Sequence, residues 1–331
     1  MRVLTVMNFG ADPAAPQRGR WVVDQVEALR QTGMEVELFT FQPGKAQYLP
    51  ATRRIRNLIR ENDFDLVHAH YGLAGWCAAL AGAKPLVVTF HGTDVRHRIV
   101  GPMSRALTRR IELVAGASKA LFETESGRPG LPRPPGRTAV LPCGADLSRF
   151  DQIDRQTAKE KLGLDPSKRY LFFPADPTRP EKRFDRAEEV ARNTGVELLT
   201  GGRIAPEEMS LWINAANAVL VTSDNEGFGL ACLETLACNV PVMSTPVGVA
   251  PHACSGVEQT LCKDYETASW SRFASKMLEI DDPRTQGRPV SQSFSAGRMA
   301  DRVAVAYREI LGNSKGKPVP VVELGNDGGS R

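Results

Sequence analysis

The stretch NEGFGLACLETLACNVPV, residues 225–242, sets two glutamates, Glu226 and Glu234, on either side of a glycine turn. It follows AVLVTS (218–223), a short apolar run rich in valine, so the whole reads as strand, turn and helix. Gly227 and Gly229 let the turn bring backbone close to a ligand, and a helix starting near Gly229 offers unpaired N–H groups to an anion. Glu226 then sits on the turn and Glu234 about a turn and a half into the helix. An ionised carboxylate accepts through two oxygens, which suits a diol. The spacing therefore fits one carboxylate at each end of a molecule with a diphosphate in its middle.

Other readings of the same residues are open. GFGLAC begins like the dinucleotide fingerprint G-x-G-x-x-G, but Cys232 stands where the third glycine belongs. The two carboxylates could be the acid and nucleophile of a glycosidase, although those usually come from separate elements of a barrel. As plain helix residues, Glu226 would be a charge favoured at a helix start and Glu234 an exposed position.

Working outward, short Val-, Leu- and Phe-rich runs alternate with amphipathic stretches, the pattern of βαβ units and parallel sheets. Strands are expected at 2–7, 35–40, 65–69, 85–90, 112–116 and 138–142, and again at 170–174, 196–200, 218–223 and 240–244. The polar break CGADLSRFDQIDRQ (143–156) separates the two sets. This gives an α/β chain of two Rossmann-like, doubly wound domains, 1–150 and 151–294. A last helix at 295–311 is free to pack back on the first domain, and 312–331 reads as a flexible tail. In such sheets ligands sit beyond the carboxyl ends of the strands, which directs attention to the residues there.

With 331 residues, 42% of them apolar, the chain can bury the cores of two domains. Its six cysteines show no C-x-x-C pair and read as reduced thiols of a cytoplasmic protein. LAGWCAALAGA (73–83), the longest apolar run, falls far short of the roughly 20 residues that span a bilayer. Residues 1–150 carry 20 Lys and Arg against 13 Asp and Glu, leaving 22 against 25 in the rest, so the first half is the basic one. RRIRNLIR (53–60) and the arginines of RHRIVGPMSRALTRR (96–110) read either as solvated helix faces or as attraction to anionic lipid or a phosphate-bearing acceptor. With 7% aromatics and none among these arginines, nucleic acid is not the expected partner.

Further chemistry lies at other strand ends. In FFPADPTRPEKRFDRAEEVA (172–191) a strand runs into a loop holding Arg179 and Lys182. Such cations can neutralise a leaving diphosphate, or simply pair with Glu181 and Asp185. PLVVTFHGTD ends on His91, Gly92 and Asp94, and DLVHAHYG on His68 and His70. A histidine there can bond a sugar hydroxyl or act as a base, or can be a satisfied structural residue. No clustered His/Asp set points to a metal site.

Taken together these segments resemble the retaining glycosyltransferases of family 4, with the GT-B architecture. The resemblance rests on EGFGLACLETLACNVPVMSTPVG (226–248), GRWVVDQVEALRQTGMEVELFT (19–40), FHGTDV (90–95), LPCGADLSRF (141–150) and RPEKRFD (179–185), and runs to about residue 311. It implies two domains facing across a cleft, the first binding a sugar or lipid-linked acceptor and the second a UDP- or GDP-linked sugar donor. Glu234 would hold the ribose hydroxyls and Glu226 the donor sugar. Arg179 and Lys182 would neutralise the diphosphate, with N–H groups of Gly227, Phe228 and Gly229. Gly19 would lie on the first-domain loop approaching the phosphates, and His91 would contact the donor sugar near the reacting carbon. Transfer would proceed with retention and require no metal or other cofactor. An epimerase on the same scaffold, or a non-catalytic nucleotide-sugar-binding subunit, are the alternatives.

Two features depart from the family form. Pro177 stands where the family has an arginine five residues before the lysine, with Arg179 two residues later. The stretch 196–210 is short by about one strand and one helix, a compactness similar to that of transferases building bacterial cell-surface polysaccharides. Such enzymes would work in the cytoplasm, in peripheral contact with the membrane.

Overall fold

The structure, a computed structural model, describes residues 1–9, 16–124 and 127–312. The tail expected from 312 onward lies, from residue 313, outside the described residues. Contacts divide the chain into two compact units.

The first unit holds a parallel sheet in the order β2-β1-β3-β4-β5-β6. Its strands are β1 (Arg2–Met7), β2 (Glu35–Thr40), β3 (Leu66–His70), β4 (Leu86–Phe90), β5 (Leu113–Gly116) and β6 (Thr138–Val140). The crossovers carry α1 (Arg20–Gln31), α2 (Lys45–Glu61), α3 (Gly72–Ala81), α4 (Thr93–Arg96) and α5 (Val100–Leu107). β3 and β4 are buried on both faces, hence their unbroken runs LVHAH and LVVTF. α1 turns Val22, Val26 and Leu29 inward at helical spacing, and with them the polar Gln25.

The second unit holds a parallel sheet in the order β11-β10-β9-β7-β8. The strands are β7 (Tyr170–Phe173), β8 (Glu197–Thr200), β9 (Ala218–Val221), β10 (Val242–Ser244) and β11 (Thr260–Cys262). Around them run α6 (Arg155–Lys161), α7 (Phe184–Thr194), α8 (Met209–Ala215), α9 (Leu230–Ala237), α10 (Ala250–Ala253), α11 (Thr267–Glu279) and α12 (Arg288–Ser293). Its core sets Leu171, Phe173, Leu220 and Met243 of the sheet with Val190 of α7 and Trp270 of α11. β11 is absent from the sequence expectations because its three half-buried residues, TLC, carry no usable period.

Each sheet reverses its winding once. The first does so between β1 and β3, the second between β7 and β9, and the loops leaving those strands are where a doubly wound sheet binds ligands.

Residues 144–150, read from sequence with the first half, group with the second unit. Ala145 N donates to the Phe294 carbonyl and Ala296 N to the Ala145 carbonyl, each at 2.9 Å. The final helix α13 (Ala296–Gly312) groups from Gly297 onward with the first unit, where Tyr307 is fully buried. Among the described residues no helix is long and apolar enough to cross a membrane.

Candidate functional site

The second unit's switch point gathers two loops. One leaves β7, makes a single 3-10 turn at Pro180–Lys182, and enters α7 through Arg183, whose φ of 54° is in the left-handed region. The other leaves β9 at Val221 and reaches α9 through Gly229, φ 92°. The loops are stitched together by backbone and side chain. Thr222 Oγ1 donates to the Lys182 and Arg183 carbonyls at 3.0 and 2.9 Å, and Asp224 N to the Glu181 carbonyl at 2.9 Å. Asp224 also receives Arg183 Nη1 at 3.2 Å and Arg186 Nη2 at 2.8 Å.

The stitching places Lys182 against Glu226. Lys182 Nζ donates to Glu226 Oε1 and Oε2 at 2.6 and 2.7 Å, and Ser223 Oγ to Oε1 at 2.7 Å. Both side chains are largely shielded, 14% and 13% exposed, so the pair is stronger than a surface one. Arg179 is held elsewhere, its Nε and Nη2 donating to Glu181 Oε1 at 2.9 and 2.6 Å. Glu234 lies half-buried in α9. Phe228 is buried with its ring 5.9 Å from that of Phe294, and its carbonyl accepts from Val249 N at 2.7 Å. Phe228 can therefore serve a ligand by its backbone only. Gly248 packs on this turn at φ 56°, where a Cβ would come within 2.3 Å of the Phe228 carbonyl oxygen.

The first unit gathers its polar groups beyond β3 and β4. His91 N and Gly92 N donate to Asp94 Oδ1 and Gly72 N to Oδ2, all at 3.0 Å, so Asp94 fixes the turn that carries His91. Burial pushes this carboxyl up to about 6 against those three donors. His91 Nε2 lies 3.0 Å from His70 Nδ1, and its ring rests 4.7 Å from that of Tyr71, whose φ of 75° marks a strained backbone. Burial holds His68 and His91 neutral, lowered to about 3, and His70 well below its ordinary value. Gly19, φ 78°, belongs to the segment that groups with the second unit. Sequence reasoning missed Ser223, Thr222 and Asp224, common polar residues that only the β7–β9 adjacency makes useful. Among the described residues no three His, Cys, Asp or Glu are placed to hold a metal ion.

Two family models match, Glycosyltransferase Family 4 over residues 43–149 and Glycosyl transferases group 1 over residues 177–288. The chain belongs to glycosyltransferase family 4. Among curated relatives, a D-inositol 3-phosphate glycosyltransferase of Mycolicibacterium gilvum is 28% identical over 76% of this chain and 67% of its own. That of Actinosynnema mirum is 26% identical over 87% of this chain and 90% of its own. Among solved structures, sucrose-phosphate synthase from Thermosynechococcus elongatus aligns with TM-score 0.72 at 18% identity, covering 95% of this chain and all of that one. Anabaena HepE in complex with UDP aligns with TM-score 0.65 at 17% identity, over 92% and 99% of the two chains. The transferase thus shares the GT-B fold, and these likenesses support glycosyl transfer and not epimerisation.

The neutral histidines give the transferase a pH signature. His68, His70 and His91 stay unprotonated in the folded chain while an unfolded histidine titrates near 6.5. Their contribution is complete above about pH 6.5 and is lost as pH falls, by roughly 1.4 kcal/mol per pH unit for each ring. Asp94, raised when folded, gains stability over the same fall and offsets one ring. Urea unfolding between pH 6 and 4 is expected to show a net loss of roughly 3 kcal/mol per unit from this cluster, two of its three rings being left unbalanced. His68→Gln is expected to flatten that slope, and an unchanged slope counts against neutral burial.

Proposed function

We propose that the transferase moves a glycosyl group from a UDP- or GDP-linked sugar to a sugar or lipid-linked acceptor, with retention at the anomeric carbon. The observation that carries this is the shielded Lys182–Glu226 pair at the β7–β9 switch point, beside the glycine-started helix α9. The solved structures of HepE with UDP, and with UDP and glucose, support the donor class. The curated relatives, named for D-inositol 3-phosphate, support a polyol-type hydroxyl as acceptor.

On this reading the donor's diphosphate draws Lys182 from Glu226. The ammonium then meets negative charge that grows as the diphosphate departs, which is where preorganised charge accelerates most. Glu226, steadied by Ser223, accepts from donor-sugar hydroxyls, and Glu234 accepts from the ribose diol. N–H groups of Gly227, Phe228 and Gly229 face the phosphates, and Arg179 joins them by exchanging Glu181 for phosphate oxygen. Gly19 gives the phosphates a close backbone approach, and His91 meets the donor sugar near the reacting carbon. The acceptor hydroxyl attacks the face from which the diphosphate leaves, with charge neutralised by Lys182 and Arg179 in place of a metal.

We extend the reading to peripheral contact with an anionic membrane on the cytoplasmic side. Arg53 and Arg60 of α2 are exposed, and so are Leu49 (59%) and Ile99 (71%), the mixed apolar and basic character such surfaces have. Arg54 lies over the Phe39 ring and Arg56 Nη2 donates to the Leu80 carbonyl, so these two have structural partners.

A thermal-shift series with UDP, GDP and their sugar conjugates tests the donor site. A nucleotide at a hundred times its Kd adds about 2.7 kcal/mol, a shift of several degrees for a chain of this size. One nucleotide is expected to stabilise the native chain and lose that effect in Glu234→Ala; equal stabilisation removes Glu234 from the ribose. Lys182→Ala is expected to lower kcat by roughly a hundredfold and to change KM little. A rise in KM alone makes Lys182 an anchor. Reversing Arg53 and Arg60 to Glu is expected to reduce cosedimentation with phosphatidylserine vesicles, and equal sedimentation returns these arginines to ordinary solvated faces.

A further inference from the structure

The histidine cluster of the first unit forms a relay whose proton positions can be worked out link by link. Tyr307, fully buried in α13, has one hydrogen-bond partner among the described residues, His68 Nδ1 at 2.6 Å. A buried hydroxyl with a single nitrogen partner donates to it, so His68 Nδ1 carries no proton. His68 is then protonated on Nε2 and donates to Thr89 Oγ1 at 2.7 Å.

Gln25 Nε2 lies 3.4 Å from His68 Nδ1 and 3.3 Å from His70 Nε2. Because His68 Nδ1 is bare, Gln25 faces the rings with its NH2 end, and its two hydrogens fall one on each ring. His70 Nε2 is therefore an acceptor and His70 keeps its proton on Nδ1. That N–H points at His91 Nε2, 3.0 Å away, which must accept it. The His91 proton is left on Nδ1, the nitrogen 4.0 Å from Cys143 Sγ.

We propose that Tyr307 and Gln25 are positioning residues that fix the His91 proton on Nδ1, making His91 a donor at the one ring nitrogen the relay does not occupy. The opposite setting, with Gln25 Oε1 toward the rings, would invert every link and turn that nitrogen into an acceptor. Tyr307 breaks the tie, because its hydroxyl hydrogen would then have no acceptor. Burial keeps the rings neutral, so each has one proton to place. The relay uses one polar side chain of α1, one of α13, and the ends of β3 and β4. Its bearing on transfer rests on the reading of His91 as the residue that meets the donor sugar, where a fixed donor favours a hydroxyl oxygen over a proton to be abstracted.

Long-range 1H–15N spectra of the full chain, labelled in its five histidines, distinguish a protonated from a bare ring nitrogen. The His91 signals are assigned by their loss in His91→Gln. The wild-type chain is expected to show His91 with Nδ1 protonated and Nε2 bare. Gln25→Leu, close in volume, is expected to leave His91 divided between both tautomers. Tyr307→Phe, which removes only one oxygen, is expected to do the same and serves if the first variant does not fold. His91 protonated on Nε2 in the wild type, or Nδ1–H retained undiminished in both variants, overturns the proposal. Kinetics separate this from the transfer reading: Gln25→Leu is expected to lower kcat roughly tenfold with donor KM unchanged. A shifted tautomer with unchanged kcat leaves the relay standing and removes His91 from the chemistry.

Discussion

The second unit's chemistry depends on the stitching of the β7 loop to the β9 loop. Thr222 spans both carbonyls at the start of α7, Asp224 draws in Arg183 and Arg186, and only then does Lys182 find Glu226. Two loops free to move apart would each carry a charge exposed to water and weakened by it. Held together, they form a shielded pair whose members are already desolvated and aimed. The ordering cost is met during folding, so a ligand that replaces one partner with its own charge finds the other in place.

The strand order explains why this happens here. β7 neighbours β9 although β8 lies between them in sequence, so residues 44 positions apart become hydrogen-bond partners. Local pattern is blind to that adjacency. Glu226, Gly229 and Glu234 were legible because strand, turn and helix fall within one short stretch and each element has its own period. Lys182 was legible as a cation beyond a strand, but its partner was not: Glu181 and Asp185 were the nearer acids in sequence, and they hold Arg179 and Arg183 instead. The second sheet's last strand was missed because it is short and half-buried.

The first unit shows a different limit. His91 stood out because it closes a buried apolar run, whereas His68 and His70 could equally have been core residues. His70 meets His91 directly; what ties His68 and His70 into the relay is Gln25, a polar residue on the buried face of helix α1, and Tyr307, 239 residues from its partner His68. A buried glutamine among apolar neighbours is visible in sequence as an exception, but its meaning depends on which rings it meets.

The first unit is also discontinuous. Its sheet is complete by Val140, yet α13 returns to it only after the entire second unit has been traversed. Closing a segment of that length carries an entropy cost, although the cost grows only slowly with length. As the polypeptide leaves the ribosome, six strands are available to pair while the place of Tyr307 is still unfilled. The second unit ends at Ala296, so all of it is made before α13 is complete. Until α13 has been made the histidine core lacks Tyr307, so a nascent chain that has already completed its second unit still lacks the group that sets the protons in its first.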